Sequence, residues 1–151
     1  MKQILNKLNK TQLIKVYNFI QYILKKNGNI LFIFNTEIKY KSSYLKLKNL
    51  LRKKSINYID IPWEFGFLSN YKELKNNIKK KPDLIVIIDI NNQEQLRSII
   101  KESLIFKIPV FCCIDNNSDI NITFPLYINN NLLNTSFLYD LFTSFLITKK
   151  K

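Results

Sequence analysis

Residues 84–90, Leu-Ile-Val-Ile-Ile-Asp-Ile, are the stretch of sequence that decides the fold. The five consecutive apolar residues at 84–88 indicate a strand that is buried on both faces of a parallel sheet. Residues 30–34, Ile-Leu-Phe-Ile-Phe, show the same pattern, and shorter strands are predicted at 56–61, 109–114 and 125–128. The chain therefore contains five predicted strands.

Segments with helical periodicity lie between the strands. Polar N-caps are predicted for four helices: Thr11 for the first, Ser42 or Ser43 for the second, Ser69 or Asn70 for a short third one, and Asn91 or Asn92 for the fourth. A final helix is predicted over 133–145. Lys25 and Lys26 suit the negative C-terminal end of the first helix. Gly28 is the predicted C′ residue, the first residue beyond the C-cap. Five aromatic residues at helical spacing are expected in the core: Phe19, Tyr22, Phe137, Phe142 and Phe145.

The alternation of strands and helices predicts an α/β fold. Helical connections between parallel strands are right-handed and cover both faces of the sheet. We therefore expect a three-layer α/β/α sandwich with a five-stranded parallel sheet in flavodoxin-like order. One domain should span residues 1–151, with a basic N-terminal extension over 1–10 and a basic tail over 148–151.

The charge of the chain is strongly unbalanced. Lys and Arg number 24 against 11 Asp and Glu, which gives a formal net charge of +13. Such an excess predicts a polyanionic partner, either nucleic acid or an anionic membrane surface. Ile, Asn and Lys, the residues of A/T-rich codons, are abundant, so some of the lysines could reflect codon bias.

The composition also excludes several kinds of chemistry. The chain has no histidine, which rules out His-based triads and His metal sites. Cys112 and Cys113 are adjacent in a predicted strand and are expected to be reduced core residues. No glycine follows the first strand, so neither standard phosphate-binding loop is present. We therefore expect no metal site and no cofactor.

A flavodoxin-like or receiver-like small-molecule-binding domain or enzyme is the alternative. Asp60, Asp89 and Asp115 lie at or near the carboxyl ends of predicted strands, where α/β active sites are found. A receiver would also need an acidic pair after the first strand, where this chain has Phe34 and Asn35. These aspartates fit capping of turns and helices better.

Lysines are the candidate contacts to phosphate. The residues selected as contacts to nucleic-acid phosphate are Lys39, Lys41, Lys72, Lys75, Lys79, Lys80 and Lys81. A further basic group lies on the second helix: Lys46, Lys48, Arg52, Lys53 and Lys54. The competing interpretation of these runs is a solvated surface.

Residues 62–71, Pro-Trp-Glu-Phe-Gly-Phe-Leu-Ser-Asn-Tyr, form an irregular aromatic loop. It contains the only tryptophan, Trp63, and one of two glycines, Gly66. A glycine retained here indicates a positive φ or a close backbone contact. Two interpretations stay open: a recognition loop, or a turn packed over the sheet edge.

The loop resembles a segment of the S-two family, small ribosomal subunit protein two of bacteria and organelles. The matching residues are Trp63, Gly66, Leu68, Asn70 and Lys72, in that order. Residues 27–36 and 82–89 resemble two strands of that family, and Glu102, 108–110, 115–119, 125 and 129–130 continue the likeness. The resemblance covers roughly residues 16–147.

The chain also departs from the family pattern. The family's Gly-His-Phe-Gly-His region is absent, and its helical hairpin insertion is reduced to residues 76–81. Pro62 replaces a basic residue, and Phe65 replaces one of two glycines. These differences remove contacts that other members make through those parts.

The resemblance implies a non-catalytic constituent of the small subunit of an organellar ribosome. It would bind rRNA and neighbouring ribosomal proteins, with Trp63, Gly66 and Asn70 shaping the loop. The A/T-biased composition and the lack of a transit peptide indicate a mitochondrion first and a plastid second. No apolar run is long enough to span a bilayer. A peripheral membrane protein, attracted to the surface by charge, is a third hypothesis.

Overall fold

The computed structural model of the chain describes residues 2–34, 42–68, 81–88, 90, 92–114, 122–127 and 135–147. The helices within these ranges are α1 (Lys2–Lys25), α2 (Ser42–Lys53), α3 (Gln93–Ile105) and α4 (Thr135–Ile147). The strands are β1 (Ile30–Phe34), β2 (Asn57–Ile59), β3 (Leu84–Ile88), β4 (Val110–Ile114) and β5 (Phe124–Tyr127).

These strands form one parallel sheet in the order β2-β1-β3-β4-β5. Strand β1 lies between β2 and β3, and its Phe32 is paired with Tyr58 on β2 and with Val86 on β3. This is the order of a flavodoxin-like fold. The predicted three-layer α/β/α sandwich with a five-stranded parallel sheet is therefore confirmed.

The two faces of the sheet contain separate apolar cores. Ile30, Phe32 and Phe34 pack with residues of α1, α2 and α4, whereas Leu31 and Ile33 pack with residues of α3. Side chains alternate between faces along a strand, so burial on both faces requires every residue of the run to be apolar. Both β1 and β3 meet this condition, since each of their five residues is buried.

Two of the aromatic residues predicted in the core are exposed instead. Tyr22 is 59% exposed and Phe137 is 54% exposed, whereas Phe142 is fully buried. Each exposed ring lies next in sequence to a buried residue, Ile23 or Leu138. A neighbour along a helix is rotated by about 100° around its axis, so it leaves the buried face. Phe19 and Phe145 are half-buried.

The predicted start of the first helix at Thr11 was wrong. Helix α1 begins at Lys2, so the supposed N-terminal extension forms its first turns as far as residue 10. The physical reason is that no glycine or proline interrupts the chain before Gly28. The N-cap of α3 was right: Asn92 Oδ1 accepts hydrogen bonds from the backbone N–H of Glu94 and Gln95.

Helices α1, α2 and α3 end in the same hydrogen-bonded turn. After α2, Ile56 N–H donates to the Leu51 carbonyl at 2.9 Å, and Ser55 N–H donates to Arg52 at 3.2 Å. This pair of bonds is the Schellman motif, whose C′ residue adopts a left-handed backbone. The C′ residues are Asn27, Ser55 and Lys107, with φ of 56°, 57° and 56°. Gly28 is the residue after C′ in α1, so its predicted place was off by one.

Replacing Ser55 with glycine should stabilise the protein. A left-handed conformation costs a residue with a Cβ about 1 kcal/mol, and glycine lacks this cost. We expect Ser55→Gly to raise the melting temperature by roughly 2–4 °C, measured by circular dichroism. Asn49→Gly, in the exposed interior of α2, is the control and should lower it. A decrease for Ser55→Gly would contradict the analysis.

Candidate nucleic-acid interface

Three of the residues predicted from sequence to form the site lie within the described part of the chain. They are Lys81, Trp63 and Gly66. The other predicted residues lie outside it: Lys39, Lys41, Asn70, Lys72, Lys75, Lys79 and Lys80. The shortened hairpin at 76–81 also falls there, except for Lys81, which is exposed.

The described part of the aromatic loop, residues 62–68, packs against the face of the sheet that α3 covers. Trp63, Phe67 and Leu68 are buried in the same core as Leu31 and Ile33. The rings of Trp63 and Phe67 are 5.1 Å apart. The Phe65 side chain, by contrast, is 73% exposed. The tryptophan therefore has a packing role, which favours the turn packed over the sheet.

A hydrogen bond fixes the aromatic loop to α3. Gly66 has a φ of 96°, and its N–H donates to Oε1 of the buried Glu102. The positive φ predicted for this glycine is confirmed. Glu102 Oε2 and Trp63 Nε1 are buried without a hydrogen-bond partner among the described residues. The sequence comparison singled out Gly66 and Glu102 separately, and the structure shows that they contact each other.

A second close contact joins the segments that precede β1 and β3. Asn29 N–H donates to Asp83 Oδ2 at 2.8 Å, and Asp83 N–H donates to the Asn29 carbonyl at 2.7 Å. A Cβ on Gly28 would lie 2.6 Å from Asp83 Oδ2 and 2.8 Å from Ile23 Cγ2. A Cβ at this position would displace the Asp83 carboxylate or the Ile23 side chain, so the close approach favours glycine. This pair of hydrogen bonds aligns the starts of the two central strands.

Loss of the Glu102 acceptor should loosen the aromatic loop. We expect Glu102→Ala to destabilise the protein by about 1–3 kcal/mol, because the Gly66 N–H loses its partner. The emission of Trp63, the only tryptophan, should shift to longer wavelength as the ring becomes solvated. Glu102→Gln keeps an acceptor of the same shape and should retain the emission of the parent. Identical spectra for the parent and Glu102→Ala would contradict this role.

Lysines lie along the edge of the sheet where the strands begin. In spatial order they are Lys53 and Lys54 before β2, Lys25 and Lys26 before β1, Lys81 before β3, and Lys107 before β4. All of them are exposed. Four adjacent strands span about 15 Å, so the lysines form a compact row, called here the basic edge. From this row, the sequence analysis selected Lys81 as a phosphate contact and placed Lys53 and Lys54 in the basic group of the second helix.

The helix ends account for part of the basic edge. Each helix places about half a negative charge at its C-terminal end, and three helices end here. Five of the lysines follow or complete these helices, so their charge exceeds the helix-end charge by about 3.5 units. Among the described residues directly before β1, β2, β3 and β4, Asp83 is the one carboxylate, and it accepts a hydrogen bond from Asn29 N–H. The remaining positive charge is available for an external anion.

Two basic residues of α2 already have partners within the protein. Lys48 Nζ donates a hydrogen bond to Asp60 Oδ2 at 2.7 Å, and this bond raises the pKa of Lys48. Arg52 Nε donates to Tyr58 Oη at 2.7 Å. Burial raises the pKa of Tyr44, whose ring lies beside Lys48. Asp60 is thus engaged by Lys48, and these two cations contribute less to phosphate binding than sequence suggested.

Other chemistry has little support in the described residues. They contain no cluster of three Cys, Asp or Glu side chains that could hold a metal ion. Cys112 is buried and reduced, and burial raises the pKa of its thiol. Asp89 and Asp115 lie outside the described ranges. No helix in those ranges is long and apolar enough to cross a membrane.

Neither the protein-family models nor the curated protein sequences match the chain.

Proposed function

We propose that this protein is a structural constituent of the small subunit of an organellar ribosome. The mitochondrion is the first assignment and a plastid the second. The protein binds small-subunit rRNA and neighbouring ribosomal proteins, and it carries out no catalysis. It has no small-molecule substrate and does not insert into a membrane.

The basic edge is the observation that carries the proposal. Its exposed lysines gather on one side of the sheet and exceed what the helix ends require. Counterion release from a polyanion is the main driving force for binding by such a row. Lysines fix the position of a protein on RNA without reading its sequence, which suits a constitutive ribosomal protein.

The motifs that resemble the S-two family give a second line of support. Gly66 with Glu102, and Asn29 with Asp83, form two of the contacts that hold loops on the sheet. Residues that resemble the family thus supply the packing of the α/β body. A rigid body of this kind can act as a spacer between rRNA and protein neighbours.

Sedimentation tests the proposal. The organelle fraction of the source cells is separated in a Mg²⁺ sucrose gradient, and the protein is followed by mass spectrometry. We expect it to migrate with the small subunit, to remain there after EDTA splits the ribosome, and to leave after RNase treatment.

A protein that stays at the top of every gradient would contradict the proposal. The flavodoxin-like or receiver-like alternative would then predict a rise in melting temperature with a flavin, a nucleotide or Mg²⁺, since a ligand stabilises the fold that binds it.

A further inference from the structure

A groove opens at the centre of the basic edge. It lies between the end of α1 and the segments that precede β3 and β4, and its volume is about 640 Å³. Lys26, Lys81 and Lys107 line it together with the ring of Tyr22. The volume falls within the range of about 300–1,000 Å³ that is common for small-ligand sites. The groove can therefore hold one nucleotide unit of an RNA chain.

Tyr22 in α1 and Lys26, the residue directly after α1, lie on the same surface. They are separated by one helical turn, so their side chains lie on the same face. Tyr22 is 59% exposed although the half-buried Phe19, one turn earlier, packs against Phe124 with ring centroids 5.6 Å apart. A large ring is thus left open to solvent on a surface where the lysines gather. This combination matches sites that stack a base and bind its phosphate.

The net charge of the groove is positive but small. Three lysines face one carboxylate, Asp83, which is held by Asn29 N–H. The C-terminal ends of α1 and α3 add about half a negative charge each, so an excess of about one positive charge remains. Charge alone therefore binds a phosphate weakly. A second source of affinity is needed, and the exposed Tyr22 ring supplies it.

We infer that this groove binds an unpaired nucleotide of rRNA. The phosphate lies against Lys26, Lys81 and Lys107, and the base stacks on Tyr22. A duplex keeps its bases stacked inside the helix, so only a single-stranded segment offers a base to the ring. The inference rests on the proposed function, and it adds the kind of RNA and the residues that bind it.

Fluorescence anisotropy with labelled RNA tests the inference on the purified full-length chain. The probes are a single-stranded oligonucleotide, a hairpin of the same length, and a free mononucleotide as competitor. We expect the single strand to bind tightest and the free mononucleotide to compete only weakly, because it lacks contacts to the rest of the basic edge.

Variants separate stacking from charge. Tyr22→Leu should weaken single-strand binding about tenfold or more and leave its salt dependence unchanged. Tyr22→Phe should retain the affinity of the parent. Phe137→Leu, which removes another half-exposed ring, is the matched control and should have no effect.

The lysines are tested in the same way. Changing Lys26, Lys81 and Lys107 to Ser should make the negative slope of log K against log salt less steep, by about 0.7 for each phosphate contact that is lost. The matched control changes Lys10, Lys15 and Lys101 to Ser; these are also exposed, and the net charge falls equally. Circular dichroism confirms that each variant is folded.

Several outcomes would overturn the inference. They are no binding of the single strand at low salt, tighter binding of the hairpin, equal effects of Tyr22→Leu and Phe137→Leu, and equal effects of the two lysine variants. Co-sedimentation with the small subunit combined with any of these results would leave the proposed function standing and reject the groove alone. A protein found at the top of every gradient would reject the proposed function itself.

Discussion

The parallel direction of all five strands is the constraint on which the rest of the structure depends. Each connection must cross back over the sheet before the next strand begins, so helix ends and strand starts meet at one edge. The buried runs Ile30–Phe34 and Leu84–Ile88 impose this arrangement, because a strand that is apolar on both faces needs cover on both. Lysines that are distant in sequence are thereby brought into one row.

The same edge is where the chain can accommodate positive charge most easily. The C-terminal ends of α1, α2 and α3 attract cations, and their left-handed C′ residues turn the chain directly into β1, β2 and β4. Lysines beyond those that the helix ends need repel one another until an anion neutralises them. Stability and binding are therefore linked, since a polyanion on the basic edge would also stabilise the folded protein.

Much of the fold could be predicted from the sequence because its strongest signals are local. The uninterrupted apolar runs identified β1 and β3, and Asn92 marked the start of α3. The site was harder to predict, because its contacts join segments far apart in the chain. The contact of Gly66 with Glu102 and the meeting of Lys26, Lys81 and Lys107 depend on how distant loops and helix ends pack together, which no local pattern encodes. The exposure of Tyr22 depends on a rotation of one residue around α1.

The central claim is that the edge at which the strands begin faces rRNA. Ultraviolet cross-linking of intact small subunits, followed by mass spectrometry of nucleotide-linked peptides, tests it most directly. The account predicts cross-links on the peptide that contains Tyr22 and on peptides flanking Lys81 and Lys107. Cross-links confined to other surfaces, such as the exposed faces of α3 and α4 around Arg97 and Phe137, would contradict it.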